Sequence, residues 1–146
     1  MVINIYTYTD NRDNHASKTC HAAFKLVAEK DGQVIKETKP RICLVHDNWW
    51  GSAIKVLILA LEELTDPIEC EWWIYTDTPY VETNFEYAYK WRDEDWLKDG
   101  KPRAHSDAWK ELLSMIDQFS VKPHISSGEH IYTHELIETV EKAKNG

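Results

Sequence analysis

A change of hydrophobic period near the middle of the chain constrains the fold more than any other feature. Before Val45 the apolar residues tend to alternate with polar ones, which is the period of half-buried strands. From Ser52 to Leu64 they recur at helical spacing. After a break at Asp66-Pro67, the apolar run Cys70–Thr76 is typical of a buried strand that follows a crossover helix. The sequence therefore predicts a mixed sheet covered by helices.

The strand-like segments before this change predict an antiparallel meander. Val2–Thr9 is the first strand candidate, and Cys20–Lys30 is the second. Asp31-Gly32 is a hairpin turn that leads into Gln33–Thr38. Arg41–Val45 is then a third strand of the meander.

The second half predicts further helices and one more strand. Thr78–Trp91 is helical by composition, because Pro79 is acceptable in a first turn. The charged segment Arg92–Arg103 indicates a loop. The remaining predictions are a helix capped by Ser106 or Asp107 and ending near Phe119, a short strand Ser120–Ile125, and a last helix Thr133–Lys144.

Length and composition predict a single domain, residues 1–146, with one hydrophobic core. The 146 residues are 42% hydrophobic and include seven Trp, enough for a packed interior. The longest apolar run, Val56–Leu61, is far shorter than a membrane span, and Met1–Tyr8 lacks the features of a secretion signal. We therefore expect a cytoplasmic protein without a membrane partner. Three widely spaced cysteines predict buried free thiols, without a zinc motif.

The net charge of −8 works against binding to nucleic acid. Such binding depends largely on Lys and Arg neutralising phosphates, so it would need a local basic patch or metal ions. Other enzyme classes receive no support, since the chain has no Gly-x-Ser-x-Gly elbow and no glycine-rich phosphate loop.

Several motifs occur in the order and spacing of type 1 ribonuclease H, a two-metal enzyme that cuts the RNA strand of RNA/DNA hybrids. The segment Ile74–Val81, with Thr76-Asp77, resembles that family's strand-end motif, and Ala60–Leu64 is similar to its first helix end. Trp91, Trp96, Lys101-Pro102 and Asp107-Ala108-Trp109 follow its handle region. Val121-Lys122-Pro123-His124 and His134-Glu135-Leu136 resemble its C-terminal motifs. The resemblance implies a ribonuclease H-like fold: an α/β mixed five-stranded sheet, three antiparallel strands then two parallel, flanked by helices.

The same resemblance implies that the acidic site is degenerate. Two divalent ions need several carboxylates, because hard cations take oxygen ligands. Of the family's four acids only Asp77 remains, and Tyr8, Ala53 and His134 stand at the other three positions. The resemblance also implies a vestigial catalytic role for His124. The segment Arg92–Asp99 is net acidic where the family grips its substrate.

Two functional hypotheses follow. In the first, a degenerate ribonuclease H-like domain needs no cofactor and binds a protein partner, or weakly an RNA/DNA hybrid. In the second, Asp10, Asp77 and His134 form a rebuilt site that holds Mg²⁺ or Mn²⁺ for nuclease activity, and Asp13 or His124 could join it. A histidine ligand shifts the metal preference of such a site towards Mn²⁺ or Zn²⁺. A third alternative is an inert relic or a subunit of a larger complex.

Structural roles compete with both hypotheses. Asp77 could instead cap the helix that begins near Pro79, and His134 could be a surface residue at a helix start. Trp49-Trp50, next to the vestigial site, could form a contact patch or could pack within the fold.

Overall fold

A mixed β-sheet separates three helices from a fourth. The computed structural model describes residues 1–146. In chain order the elements are β1 (Val2–Thr9), β2 (Lys18–Lys30), β3 (Gln33–Glu37), β4 (Arg41–Asp47), α1 (Trp49–Glu62), β5 (Glu71–Thr76), α2 (Pro79–Asp93), β6 (Leu97–Lys98), β7 (Lys101–Pro102), α3 (Ser106–Ile116), β8 (His124–Ser127) and α4 (Thr133–Asn145).

The sheet confirms the predicted mixed topology. β1 lies at its centre, antiparallel to β2 and parallel to β5, and β5 is parallel to β8. The sheet has six strands, one more than predicted, because the 13 residues of β2 pair with β3 at one end and with β4 at the other. Both short strands therefore form the same outer edge of the sheet.

The main core lies between the sheet and helices α1, α2 and α3. It contains 24 buried residues, including the fully buried Trp72 and Trp109. Each indole also has a hydrogen-bond acceptor: Trp72 Nε1 donates to Val121 O at 2.6 Å, and Trp109 Nε1 donates to Tyr80 Oη at 3.1 Å. Large buried aromatic rings supply apolar area, and their satisfied N–H groups remove the cost of burying them.

Helix α4 packs alone on the opposite face of the sheet. Leu136 and Val140 are fully buried there, in a cluster of five with Tyr6, Ala23 and Val27. The apolar positions Leu136 and Val140 are four residues apart and so share one helix face. The last helix thus covers only a narrow part of its side of the sheet.

Helix α1 begins three residues before its predicted start. Asn48 is the N-cap, and its Oδ1 accepts a hydrogen bond from Gly51 N at 2.9 Å. This cap allows Trp49 and Trp50 to enter the first turn, where helical periodicity alone gives no signal.

Three predictions for the second half are wrong in detail. The last strand is β8, His124–Ser127, and not Ser120–Ile125, because Pro123 has no N–H with which to join the ladder. The supposed loop 92–103 contains the β6–β7 hairpin and the buried Trp96. The N-cap position of α3 is His105 rather than Ser106 or Asp107; it has φ +61° and makes no side-chain cap bond.

No helix is both long and apolar enough to cross a membrane. All three cysteines are free thiols, with Cys20 buried and the other two, Cys43 and Cys70, half-buried. Burial raises the pKa of the Cys43 thiol to about 11, so this thiol is protonated and unreactive at neutral pH.

Candidate functional site

Asp77 lies at the carboxyl-end edge of the two central parallel strands. It follows β5, and the last residue of β1, Thr9, lies next to it because the parallel strands end at the same edge. Thr9 donates twice to Asp77 Oδ2, from its backbone N at 2.7 Å and from its Oγ1 at 3.0 Å. The Asp77 side chain is only 7% exposed. A carboxylate so deeply buried requires compensating partners.

The main partner of Asp77 is the guanidinium of Arg12. Arg12 Nη1 lies 2.6 Å from Asp77 Oδ2, and Nη2 lies 3.5 Å from the Asp77 carbonyl oxygen. The guanidinium carbon is 4.4 Å from the ring centroid of Trp49 and 5.6 Å from that of Tyr8. Both rings hold the cation by cation–π attraction. A side chain of the protein thus supplies positive charge directly at Asp77.

The loop between β1 and β2 holds Arg12 in this position. Asn11 is fully buried, and its Nδ2 donates to Ala16 O at 3.0 Å and to Asp47 O at 2.9 Å. Asn48 Nδ2 donates to Asn14 O at 2.9 Å. These amide side chains join the loop to the start of α1 by saturating backbone carbonyls. The loop conformation therefore directs Arg12 towards Asp77.

Burial raises the pKa of the Asp77 carboxyl, and the Arg12 guanidinium and the two Thr9 donors oppose this rise. The second oxygen, Oδ1, is buried without a hydrogen-bond partner, as is the indole Nε1 of Trp49. The Trp49 indole N–H lies near the carboxylate and also lowers the Asp77 pKa. Its geometry does not meet the criteria for a hydrogen bond to Asp77. Arg12 is thus the one full positive charge that stabilises ionised Asp77.

The three residues at the other expected acid positions supply no carboxylate. Ala53 is fully buried in α1. Tyr8 is half-buried next to Arg12, and burial raises its phenol pKa, so it remains neutral. His134 is 87% exposed, and its Nε2 lies 3.6 Å from Glu129 Oε1. His134 is therefore a surface residue at the start of α4, which is the structural alternative considered for it above.

The structure does not bring Asp10, Asp77 and His134 together. Asp10 Oδ1 accepts from His21 N at 2.9 Å, and its Oδ2 lies 3.2 Å from Lys144 Nζ. Asp13 Oδ1 caps the nearby backbone by accepting from His15 N. No group of three or more His, Cys, Asp or Glu is arranged to hold a metal ion. The residues at this edge therefore do not fit a pair of divalent ions, which need several convergent oxygen ligands.

His124 lies away from Asp77. It is the first residue of β8, not a residue after the strand, and its register partner is Trp73, four residues before Asp77. At a rise of about 3.3 Å per residue this places it roughly 13 Å along the sheet from the site. Its ring stacks on Trp73 at 4.6 Å and is about half exposed.

Another histidine, His130, occupies the connection that leaves the site edge of the sheet. Its Nε2 lies 3.5 Å from Thr7 O, and its Nδ1 accepts from Tyr132 N at 3.2 Å. Burial lowers the His130 pKa, so the ring is neutral at pH 7. Sequence analysis made no prediction for this residue, which follows Gly128, where φ is +98° just after β8.

Asp77 does not cap α2. Thr78 is the N-cap, and its Oγ1 accepts from Tyr80 N at 3.2 Å. The other tryptophan of the expected contact patch, Trp50, stacks on Tyr80 with ring centroids 4.4 Å apart and planes 4° apart. Both Trp49 and Trp50 are half-buried and packed on residues of this chain.

Sequence analysis also missed Arg12. It occurs in a polar loop, Asp10–Asn14, where a lone arginine gives no periodic signal. A usable sign was the combination of a retained Asp77 with the loss of the other expected acids, which leaves a buried carboxylate in need of a cation.

Several solved ribonuclease H structures share this fold. The chain matches LC9-RNase H1, a type 1 RNase H with the type 2 active-site motif, with a TM-score of 0.70 and 13% identity over 99% of this chain and 72% of that one. It matches RNase H1 from the halophilic archaeon Halobacterium salinarum NRC-1 with a TM-score of 0.64 and 17% identity over the whole of both chains. LC11-RNase H1, solved in complex with an RNA/DNA hybrid, gives a TM-score of 0.62 and 16% identity over 97% and 99%. No protein-family model and no curated protein matches the sequence.

The chain therefore has the ribonuclease H fold. The mixed sheet, with the order β3-β2-β1-β5-β8 and β4 also on β2, agrees with the architecture that the sequence motifs predict. Sequence identities of 13–17% establish the fold and not the activity.

Proposed function

We propose that this chain is a non-hydrolytic ribonuclease H-fold domain that acts by binding a protein partner. The observation that carries the proposal is the Arg12 guanidinium at 2.6 Å from the carboxylate of Asp77. This cation already neutralises the one acid that the chain retains from the family's metal site.

Charge repulsion explains why this arrangement opposes metal binding. A unit charge and a divalent ion 4 Å apart repel by about 8 kcal/mol at an effective dielectric constant near 20. The guanidinium would have to leave the carboxylate before such an ion could bind. Asp77 would then be the sole carboxylate ligand at this position, since Ala53 and the neutral Tyr8 offer no charge.

The charge of the handle region favours a protein partner over nucleic acid. Segment 92–99 carries four acidic and two basic residues, and most of it is exposed. The whole chain has a net charge of −8. A negative surface repels the phosphate backbone on which most nucleic-acid affinity depends. Binding to an RNA/DNA hybrid is therefore expected to be weak.

A cleavage assay tests the proposal. The purified protein is incubated with a fluorescently labelled RNA/DNA hybrid in Mg²⁺ or Mn²⁺, beside its Asp77→Asn variant and an active ribonuclease H1. We expect no cleavage by either form of this chain. Cleavage by the natural sequence that Asp77→Asn abolishes would overturn the proposal and favour a metal-dependent nuclease, with Asp10 and His134 as the next residues to replace.

A metal titration separates the role of Arg12 from a simple lack of ligands. We expect millimolar Mg²⁺ or Mn²⁺ to leave the melting temperature of the natural chain unchanged. In Arg12→Ala the carboxylate loses its cation but remains the sole carboxylate ligand, so added Mn²⁺ should raise the melting temperature only slightly, by weak binding of a single ion. An equal response of both forms would show that Arg12 does not exclude the ion.

A further inference from the structure

The outer edge of β4 offers a strand that is complementary to a second copy of itself. Ile42 and Leu44 project from one face of this edge strand and are 38% and 62% exposed. An unpaired edge strand with exposed apolar side chains can pair with a strand of another chain. Proteins usually prevent this by placing charged residues or proline on such edges. Pro40 lies just before β4, but no proline or charge interrupts residues 42–45.

The backbone of β4 presents unused hydrogen-bonding groups at this edge. Asp10 N donates to His21 O, so the backbone groups of His21 point to β1. Backbone groups alternate in direction along a strand, so those of Cys20, Ala22 and Phe24 point to β4. The β4 partners of these three residues are Val45, Cys43 and Arg41. Ile42, Leu44 and His46 therefore direct their N–H and C=O groups outward.

Almost all of these outward groups lack a partner. No hydrogen bond involves the backbone of Ile42 or Leu44 on that side. Lys55 Nζ reaches the edge and donates to His46 O at 2.7 Å, which agrees with the outward direction of that carbonyl. A paired strand would replace Lys55 there, and Lys55 would keep its ion pair with Asp47 Oδ2 at 3.2 Å.

The sequence of β4 is complementary to its own reverse in the charges at its two ends and in the apolar residues at its centre. An antiparallel copy centred on Leu44 places Leu44 opposite Leu44, Ile42 opposite His46, and Cys43 opposite Val45. It also places Arg41 of each copy, which pairs with Glu63 at 3.2 Å in its own chain, opposite Asp47 of the other, which pairs with Lys55. Opposite charges that face each other across strands stabilise pairing. Leu44 is the midpoint of Arg41–Asp47, so this register uses the whole strand.

The geometry points to a twofold homodimer in which two β4 strands pair antiparallel about Leu44. The backbone N–H and C=O groups of Ile42, Leu44 and His46 all point outward. This register therefore forms about six inter-chain backbone hydrogen bonds. The sheet becomes continuous across the two copies, and the same patch meets itself, as twofold symmetry requires. The proposal is independent of whether the chain cuts nucleic acid.

Sedimentation velocity tests the assembly over a range from low micromolar to several hundred micromolar protein. We expect a concentration-dependent dimer that Leu44→Lys abolishes, since two lysines would face each other at the twofold axis. Arg41→Glu should weaken the dimer severalfold, because it faces Glu with Asp47 at both ends of the paired strands. The matched control is Ile35→Lys on β3, an apolar edge residue of similar exposure, 55% against 62% for Leu44, outside the paired segment. A chain that is monomeric throughout, or equal loss in the control, would overturn the proposal.

Cysteine cross-linking tests the register. In a Cys43→Ala background, Leu44→Cys places two thiols opposite each other with Cα atoms about 5.5 Å apart, within disulfide range. Ile42→Cys on the same face places its thiols about four residues apart, roughly 13 Å, which is too far. We expect rapid disulfide dimers from the first variant only. Equal or reversed cross-linking rates would show that β4 strands do not pair about Leu44.

Discussion

Replacement of Arg12 by Gln should destabilise the protein well beyond the effect of an ordinary surface ion pair. The change removes the guanidinium that contacts Asp77 Oδ2 at 2.6 Å and lies over the Trp49 ring. Asp77, 7% exposed, keeps only its two bonds from Thr9 and the nearby indole N–H. A buried carboxylate would then lack a cation.

The magnitude follows from the burial of the two partners. Breaking a fully buried ion pair costs about 3–5 kcal/mol, because one charge is left uncompensated. Arg12 is 48% exposed, so water can reach the vacated side of Asp77, and screening reduces the cost. We expect about 2 kcal/mol, including the lost stacking on Trp49, which corresponds to a fall of about 4–8 °C in melting temperature.

Urea unfolding, followed by tryptophan fluorescence and circular dichroism, measures this loss. Arg92→Gln is the matched control, since Arg92 Nη1 lies at the same 2.6 Å from Asp117 Oδ2 but both partners are 40–49% exposed. That change should cost less than about 1 kcal/mol. In an Asp77→Asn background, Arg12→Gln should lose most of its effect, because the carboxylate is gone. Equal losses from Arg12→Gln and Arg92→Gln would refute the reasoning.

Three further perturbations probe the other face of the sheet. Leu136→Ala, at a fully buried position of α4, should cost about 3 kcal/mol in urea unfolding, whereas the exposed Ile131→Ala should cost almost nothing. Glu135→Gln should cost about 1 kcal/mol, because the 5% exposed Lys25 ammonium loses its nearer carboxylate and keeps only that of Glu37 at 3.7 Å. Lys25→Met should cost less, and the reverse order would contradict the role of Lys25 as the buried charge. Burial lowers the His130 pKa from 6.5, so the folded state resists protonation of this ring. The free energy of unfolding should therefore fall as the pH drops below about 6.5, and it should fall less steeply in His130→Gln. Identical slopes of unfolding free energy against pH in the two proteins, measured by urea unfolding, would rule out this contribution.

The architecture was largely readable from the sequence, because hydrophobic period reports which face of an element is buried. The alternation in Val2–Thr9, the helical spacing in Ser52–Leu64 and the apolar run before Asp77 correspond to β1, α1 and β5 in the structure. The motif Thr76-Asp77 also marked the edge of the sheet where the retained acid lies.

Element ends were harder to predict, because local chemistry and tertiary contacts decide them. Asn48 extended α1 by a turn through its cap, and Pro123 delayed β8 until His124. The predicted sheet had five strands, three of them antiparallel. In the structure, the break at 38–40 lets two short strands share the same edge of β2.

The sequence by itself determined the strand and helix order, since periodicity is a local property of the chain. The tertiary structure alone decided which charges meet. Residues 12 and 77 are 65 positions apart, and only the parallel pairing of β1 with β5 and the loop held by Asn11 bring Arg12 onto Asp77. Asp10 instead pairs with Lys144, and the exposed His134 lies next to Glu129. Long-range charge compensation depends on the folded distances between groups, which spacing along a chain does not specify.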